Sequence, residues 1–248
     1  LISFICSSNN NIARITQMLD KLRRRYGQYL CTIAYSKQCS SDPGSHRLLS
    51  IPERHDLYAF PTVEALAAAS EEDLRALGMG YRARFIIESA KIVQQKAAQL
   101  ASKEEDSRRG RLYVQQQLME LPGVGRKVAD CVALFSLDQT AAVPVDTHVW
   151  NIALRDYAPH LRRSFLQQEE NNQTVLDEGT KSLTPAVYEM VGDVFRAHFG
   201  VHAGWAHSVL FAAELAEFRA LLPPQLQEEM RDFSDLQRSA KKAKREEK

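Results

Sequence analysis

The chain has 248 residues, 44% of them hydrophobic and 25% charged, with a net charge of +1 at pH 7. That is apolar material enough for one large domain or two small lobes, but the charge is too balanced for a global field to draw the chain to nucleic acid, so such affinity must come from local patches and backbone amides. No apolar run approaches the roughly 20 residues of a membrane span, no secretory leader is visible, and the four cysteines (Cys6, Cys31, Cys39, Cys131) lack paired metal spacing and read as reduced intracellular thiols.

In chain order, Ser7 to Asn11 offer capping chemistry for a helix over about 10–26, with Ile12, Ile15, Met18, Leu19 and Leu22 on one face. Residues 36–55 are rich in Ser, Pro and Gly and read as a surface insertion. Phe60-Pro61-Thr62 opens a second helix, and Ser70 with Asp73 resembles a capping box for a third. Gly78-Met79-Gly80 ends that helix, and Tyr81 begins a long one to about Leu100. After a charged loop at 102–111, two helices joined by a glycine hairpin occupy about 113–136. A polar loop at 159–183 reads as another insertion, and helices fit Pro185–Phe199 and Gly204–Leu222. The tail, 223–248, is polar, ends in Lys241-Lys242-Ala243-Lys244-Arg245, and is expected to be disordered. With no alternating strand pattern of any length, the expected class is all-α, with 1–222 as the folded core.

The densest chemistry lies in the hairpin Leu121-Pro122-Gly123-Val124-Gly125-Arg126-Lys127 and in Val143-Pro144-Val145-Asp146-Thr147-His148. Gly123 and Gly125 suit a sharp turn and a close approach, and the free amides that open the next helix form an anion site. Lys127 is a candidate nucleophile toward an electrophilic sugar carbon. Attack requires the neutral amine, which the positive helix end and Arg126 favour. Asp146, as the cap of its helix, is an immobile carboxylate able to stabilise developing positive charge or orient the lysine, and His148 in the same first turn can donate to a phosphate. Cys131 lies at i+4 from Lys127, and Phe211 at i+4 from His207; a flipped base needs flat apolar walls and a polar reader, and these residues suit those parts. Tyr81, Arg82 and Arg84 head a helix after a glycine turn, which suits groove entry and phosphate contact, whereas Asn9, Asn10, Asn11 and Arg14 carry the amide and guanidinium groups that read base edges. Taken singly, each of these has an ordinary reading as a cap, a packed side chain or a solvated helix start.

Together, the segments Phe4–Thr16, Leu77–Phe85, Leu121–Cys131, Val143–Trp150 and Ala203–Leu215 resemble the eukaryotic 8-oxoguanine branch of the helix-hairpin-helix DNA glycosylases. The resemblance implies two helical lobes with the active site in the cleft between them, and an N-terminal domain preceding this region. It implies glycosylase and AP lyase activity on 8-oxoguanine opposite cytosine in duplex DNA, without a cofactor or metal, by a monomer in the nucleus, with the mitochondrion as a second compartment. In its terms Lys127 is the Schiff-base nucleophile and Asp146 its carboxylate partner. Asn9 and Arg14 hold the orphaned cytosine, Tyr81 wedges into the stack, and Arg82, Gly123, Gly125 and His148 contact DNA. Cys131 and Phe211 sandwich the base, and Pro144 lines the pocket. The family usually has Gln where this chain has His207, which changes the donor and acceptor pattern offered to the base. Two other readings are an endonuclease III-like enzyme for oxidised pyrimidines and a noncatalytic DNA-binding module. The lack of cysteines after Cys131 argues against the iron–sulfur cluster of many of the former, and Lys127 with Asp146 argues against the latter.

Overall fold

A computed structural model describes residues 1–35, 53–100, 110–157 and 183–246. Most of the two expected insertions, nearly all of the charged loop and the last two residues of the tail fall outside them. The described chain is helical apart from one two-stranded ribbon: α1 Ile2–Ser7, α2 Ile12–Tyr26, β1 Tyr29–Tyr35, β2 Glu53–Tyr58, α3 Val63–Ala67, α4 Glu71–Ala76, α5 Arg82–Leu100, α6 Arg111–Met119, α7 Arg126–Ser136, α8 Thr147–Asp156, α9 Pro185–Phe199, α10 Ala203–Glu214, α11 Ala216–Arg219 and α12 Pro224–Glu246. The chain divides into two compact units, one of residues 1–109 with 117–124 and the other of 110–116 with 125–248.

In the first unit, α1, α3 and α4 pack on α5, and α1 also on α2. Buried Ile5, Leu22, Leu66, Leu74, Met79 and Ile86 fill the space between them. Local caps start these helices as the sequence suggests: the Asn11 side chain accepts from the Arg14 amide, Thr62 from Ala65 and Ser70 from Asp73. The apolar face of α2 is narrower than its spacing implies, for Met18 and Leu22 are buried whereas Ile12 is exposed.

The antiparallel pair β1–β2 departs from the expectation of a strand-free chain, and β2 takes in residues 53–55, which the sequence assigns to an insertion. Its residues are not alternately buried: Leu30, Ile33 and Leu57 stand exposed, so the period-2 signal that marks a half-buried strand is missing. The ribbon is held instead by cross-strand pairs, including Tyr29 against Tyr58 and Thr32 donating to Asp56 at 2.6 Å.

In the second unit, α8, α9 and α10 enclose a core of Val143, Val149, Ile152, Val191, Val194 and Phe195. Thr184 caps α9, whose first turn carries Pro185. Gly204 is required at the head of α10, where a β-carbon would run into the Ala142 carbonyl, and its amide donates to Thr140 at 2.8 Å. The tail expected to be disordered is helical over Pro224–Glu246. The physical reasons are a proline at the helix start, a run of strong helix formers (Gln, Glu, Lys, Arg, Ala), and Met230, which is buried. Among the described residues no helix is long and apolar enough to cross a membrane.

Candidate active site

The first unit gathers the Asn9 turn, the head of α5 and Gly123. Asn9 has φ 48, a left-handed conformation that asparagine tolerates better than most residues, and it is exposed. Beneath it Arg82 is 3% exposed, its guanidinium donating to the carbonyl of Ser8 and, at 3.1 Å, to that of Asn9. The same group lies 4.5 Å from the centre of the Tyr81 ring, which is exposed and meets Phe85 edge-on. Gly123, at φ +77, lies against that Phe85: a β-carbon there would come within 2.5 Å of the ring. Arg14 is exposed on the first turn of α2. Within this unit Asn9, Tyr81, Arg82 and Gly123, four of the residues expected to meet DNA, are brought together, with one difference. Arg82 is buried and committed to two backbone carbonyls, so in this conformation it orders the Asn9 turn and is not disposed to contact a phosphate.

The second unit holds the chemistry. Gly125 caps α7 without a side chain, at φ −92, and a β-carbon there would meet nothing. Its smallness is not a steric demand of the fold, unlike that of Gly123, and it leaves the first-turn amides of α7 uncovered. Lys127, in the first turn of α7, extends its Nζ to within 3.0 Å of Asp146 Oδ2; the lysine side chain is 47% exposed and the aspartate 18%. The other carboxylate oxygen of Asp146 accepts from the His148 and Val149 amides at 2.9 and 3.0 Å. One residue therefore caps α8 and pairs with the amine. Burial pushes the Asp146 carboxyl up, but the Lys127 charge and the Val149 amide outweigh it, so Asp146 stays below the usual carboxylate range. The stabilisation from this pair is present above the ordinary carboxylate value of about 3.9 and is lost as pH falls through the lowered folded value.

Around this pair, Cys131 and Pro144 are buried, and burial pushes the Cys131 thiol up to about 12, which keeps it a neutral thiol. On α10, His207 is 6% exposed and its Nδ1 has no hydrogen-bond partner among the described residues. Phe211 is half-buried, its ring 6.1 Å from His207 at an interplanar angle of 33° and 5.9 Å from exposed His148 edge-on. Burial lowers the His207 pKa, opposed by the Gly204 backbone and Asp146 and reinforced by Lys127, so its imidazole is neutral near pH 7. Arg155 of α8 donates to Glu214 of α10 at 2.8 Å, and Arg219 joins the same carboxylate at 2.9 Å, tying α8 to the helix that carries His207 and Phe211.

Sequence reasoning missed a buried network behind α7, in which Asp130, fully buried, accepts from Gln115 and Tyr188. Its one sequence signal is a lone carboxylate inside the apolar run Val128-Ala129-Asp130-Cys131-Val132. Among the described residues no group of acidic, histidine and cysteine side chains is arranged to hold a metal ion.

Residues 2–176 match the pattern of the HhH-GPD superfamily, described as base excision DNA repair proteins. The chain is 38% identical to N-glycosylase/DNA lyase OGG1 of Arabidopsis thaliana over 225 residues, which is 90% of this chain and 51% of that protein. It is 38% identical over 226 residues to N-glycosylase/DNA lyase of Saccharomyces cerevisiae, covering 87% of this chain and 54% of the relative. It thus spans about half the length of these curated relatives. The crystal structure of Clostridium acetobutylicum 8-oxoguanine glycosylase/lyase in its apo-form is similar with a TM-score of 0.57 at 25% identity, covering 84% of this chain and 57% of the other. The chain belongs to the HhH-GPD superfamily of base excision DNA repair proteins.

Proposed function

We propose that the chain carries the catalytic core of a monomeric, nuclear DNA glycosylase and AP lyase, with the mitochondrion as a second compartment, and that it excises 8-oxoguanine opposite cytosine from duplex DNA. The observation that carries this reading is the 3.0 Å pair of Lys127 and Asp146 at the heads of two helices, supported by the activities for which its relatives are named. The domain reading is a glycosylase core over 1–222 followed by the tail.

In the proposed reaction Lys127 Nζ, after giving up its proton, bonds to the sugar C1′ as the glycosidic C–N bond breaks and the departing base takes the electron pair and a proton. Opening of the C1′–O4′ bond leaves an iminium. Loss of a C2′ proton then expels the 3′ phosphate, which is the lyase step. Asp146, ionised and fixed by its cap, faces the positive charge that develops at C1′. Cys131, Pro144 and Phe211 form the apolar walls for the flipped base, and His207 reads its edge. Asn9 and Arg14 hold the orphaned cytosine, Tyr81 fills the stack, Arg82 orders the Asn9 turn, and Gly123, Gly125 and His148 seat the phosphates.

Borohydride reduction of the iminium tests this with the whole protein. A duplex holding 8-oxoguanine opposite cytosine is expected to crosslink to the unmodified chain and not to Lys127→Gln. A Lys127→Gln protein that still traps and cleaves sinks the mechanism, and equal cleavage of oxidised pyrimidines reassigns the substrate to the endonuclease III-like class.

A further inference from the structure

Besides Lys127, α7 carries Asp130, a carboxylate at 0% exposure whose hydrogen bonds come from neutral donors. Its Oδ2 accepts from Gln115 Nε2 of α6 at 2.8 Å and from the Tyr188 hydroxyl of α9 at 2.6 Å. The Tyr188 oxygen also lies 3.4 Å from the Val143 carbonyl and accepts from the Val145 amide at 3.4 Å. Val145 sits between Pro144 and Asp146 in the extended segment that leads into α8. Helix α7 is therefore joined to the Asp146 segment twice: directly through the Lys127–Asp146 pair, and from behind through Asp130, Tyr188 and the Val145 backbone.

A buried carboxylate held by neutral donors is costly, and apolar side chains of equal volume stabilise a core at least as well. What Asp130 adds is direction. A fully buried acceptor orients the Tyr188 hydroxyl, and a fixed hydroxyl oxygen fixes the Val145 amide. Burial raises the Asp130 carboxyl above its usual range; the Tyr188 and Gln115 donors and the Arg111 charge counter that rise, and the Glu189 charge adds to it.

We propose that Tyr188 and Asp130 are positioning residues for the Lys127–Asp146 pair, locking the Pro144–Asp146 backbone so that the aspartate stays aligned with the amine. This rests on the reading of that pair as catalytic. Neither residue touches the pair, and both act through the Val145 backbone.

The test compares the unmodified whole protein with Tyr188→Phe, Asp130→Asn and Asp130→Ala. Single-turnover excision, duplex affinity, the pH profile and the melting temperature are measured for each. Tyr188→Phe keeps the ring and removes the hydroxyl. It is expected to slow excision roughly tenfold, since small misplacements of reacting groups have large rate effects, with affinity for the 8-oxoguanine:cytosine duplex unchanged. A loosened pair frees the Asp146 carboxyl to rise toward its ordinary value, so the acid limb of the profile moves to higher pH. Asp130→Asn, which retains an acceptor oxygen for Tyr188, is expected to keep more of the rate than Asp130→Ala. Tyr188→Phe with the unmodified rate and an unmoved acid limb overturns the inference alone, as does a rate loss that only tracks the fraction unfolded. Failure of the unmodified protein to trap on the duplex overturns the catalytic reading and this inference with it.

Discussion

A neutral imidazole donates one hydrogen bond and accepts one, whereas an imidazolium only donates. His207 is a buried imidazole whose pKa burial lowers, with Nδ1 unsatisfied. Below the ordinary histidine value of about 6.5, the unfolded chain takes up a proton that the folded chain resists, so stability falls as pH drops from there toward the folded value. Protonation also removes the acceptor needed to read a base edge. Excision of 8-oxoguanine is therefore expected to fall off more steeply in the unmodified protein than in His207→Gln as pH drops through the lowered folded value, whereas the melting temperature should begin to show the contrast already below about 6.5. Superimposable rate–pH profiles count against a reading role for His207. This residue is legible in the sequence because helix periodicity sets it one turn before Phe211. That Arg82 would be buried is not, because its partners are backbone carbonyls of a turn some seventy residues earlier, to which sequence pattern is blind.

At the level of elements, helix heads organise the site. Asp146 serves α8 as cap and Lys127 as partner, and the two roles separate by substitution. Asparagine caps a helix about as well as aspartate, so Asp146→Asn should lose only the small contribution of its pair with half-exposed Lys127, about 1 kcal/mol or less, yet form the Schiff base about a hundredfold more slowly, the order of loss seen when one electrostatic stabiliser is removed. Asp146→Ala should be equally slow and in addition less stable by about 1 kcal/mol. If Asp146→Asn trapped at the unmodified rate, the carboxylate charge would have no part in the chemistry. The same local signals make most helices readable from sequence: Asn11, Thr62, Ser70, Asp146 and Thr184 all cap where their types suggest. They fail at β1–β2, which is stabilised by cross-strand pairs on an exposed ribbon and leaves no burial pattern. They fail also at α12, where polar composition suggests disorder while the individual residues favour helix.

For the whole molecule, near-neutral net charge bounds the grip on DNA. With charge +1, long-range steering is weak, and the cationic side chains assigned to the site are only two, Arg14 and Lys127. The first-turn amides of α7, which no side chain caps, and the turn held by Arg82 add no long-range field. The division of the chain into two units is consistent with the two lobes expected from the sequence, but the hairpin that reads as a single motif is shared between them, Gly123 with the first and Gly125 with the second. No periodicity marks that boundary, because it is set by packing on either side and not by local chain preference. If these two cations each neutralise one phosphate, log affinity for undamaged duplex plotted against log salt should have a slope of about −2, from roughly 0.9 per contact. Titration by fluorescence anisotropy between about 50 and 200 mM salt measures it, within the range where counterion release dominates. Arg14→Ala should make the slope shallower by about one and weaken binding to all sequences alike. A slope near −8 in the unmodified protein would mean that a much larger set of basic residues grips the backbone, with the sequence run Lys241-Lys242-Ala243-Lys244-Arg245 the first candidate, and the interface drawn from these two residues would have to be redrawn.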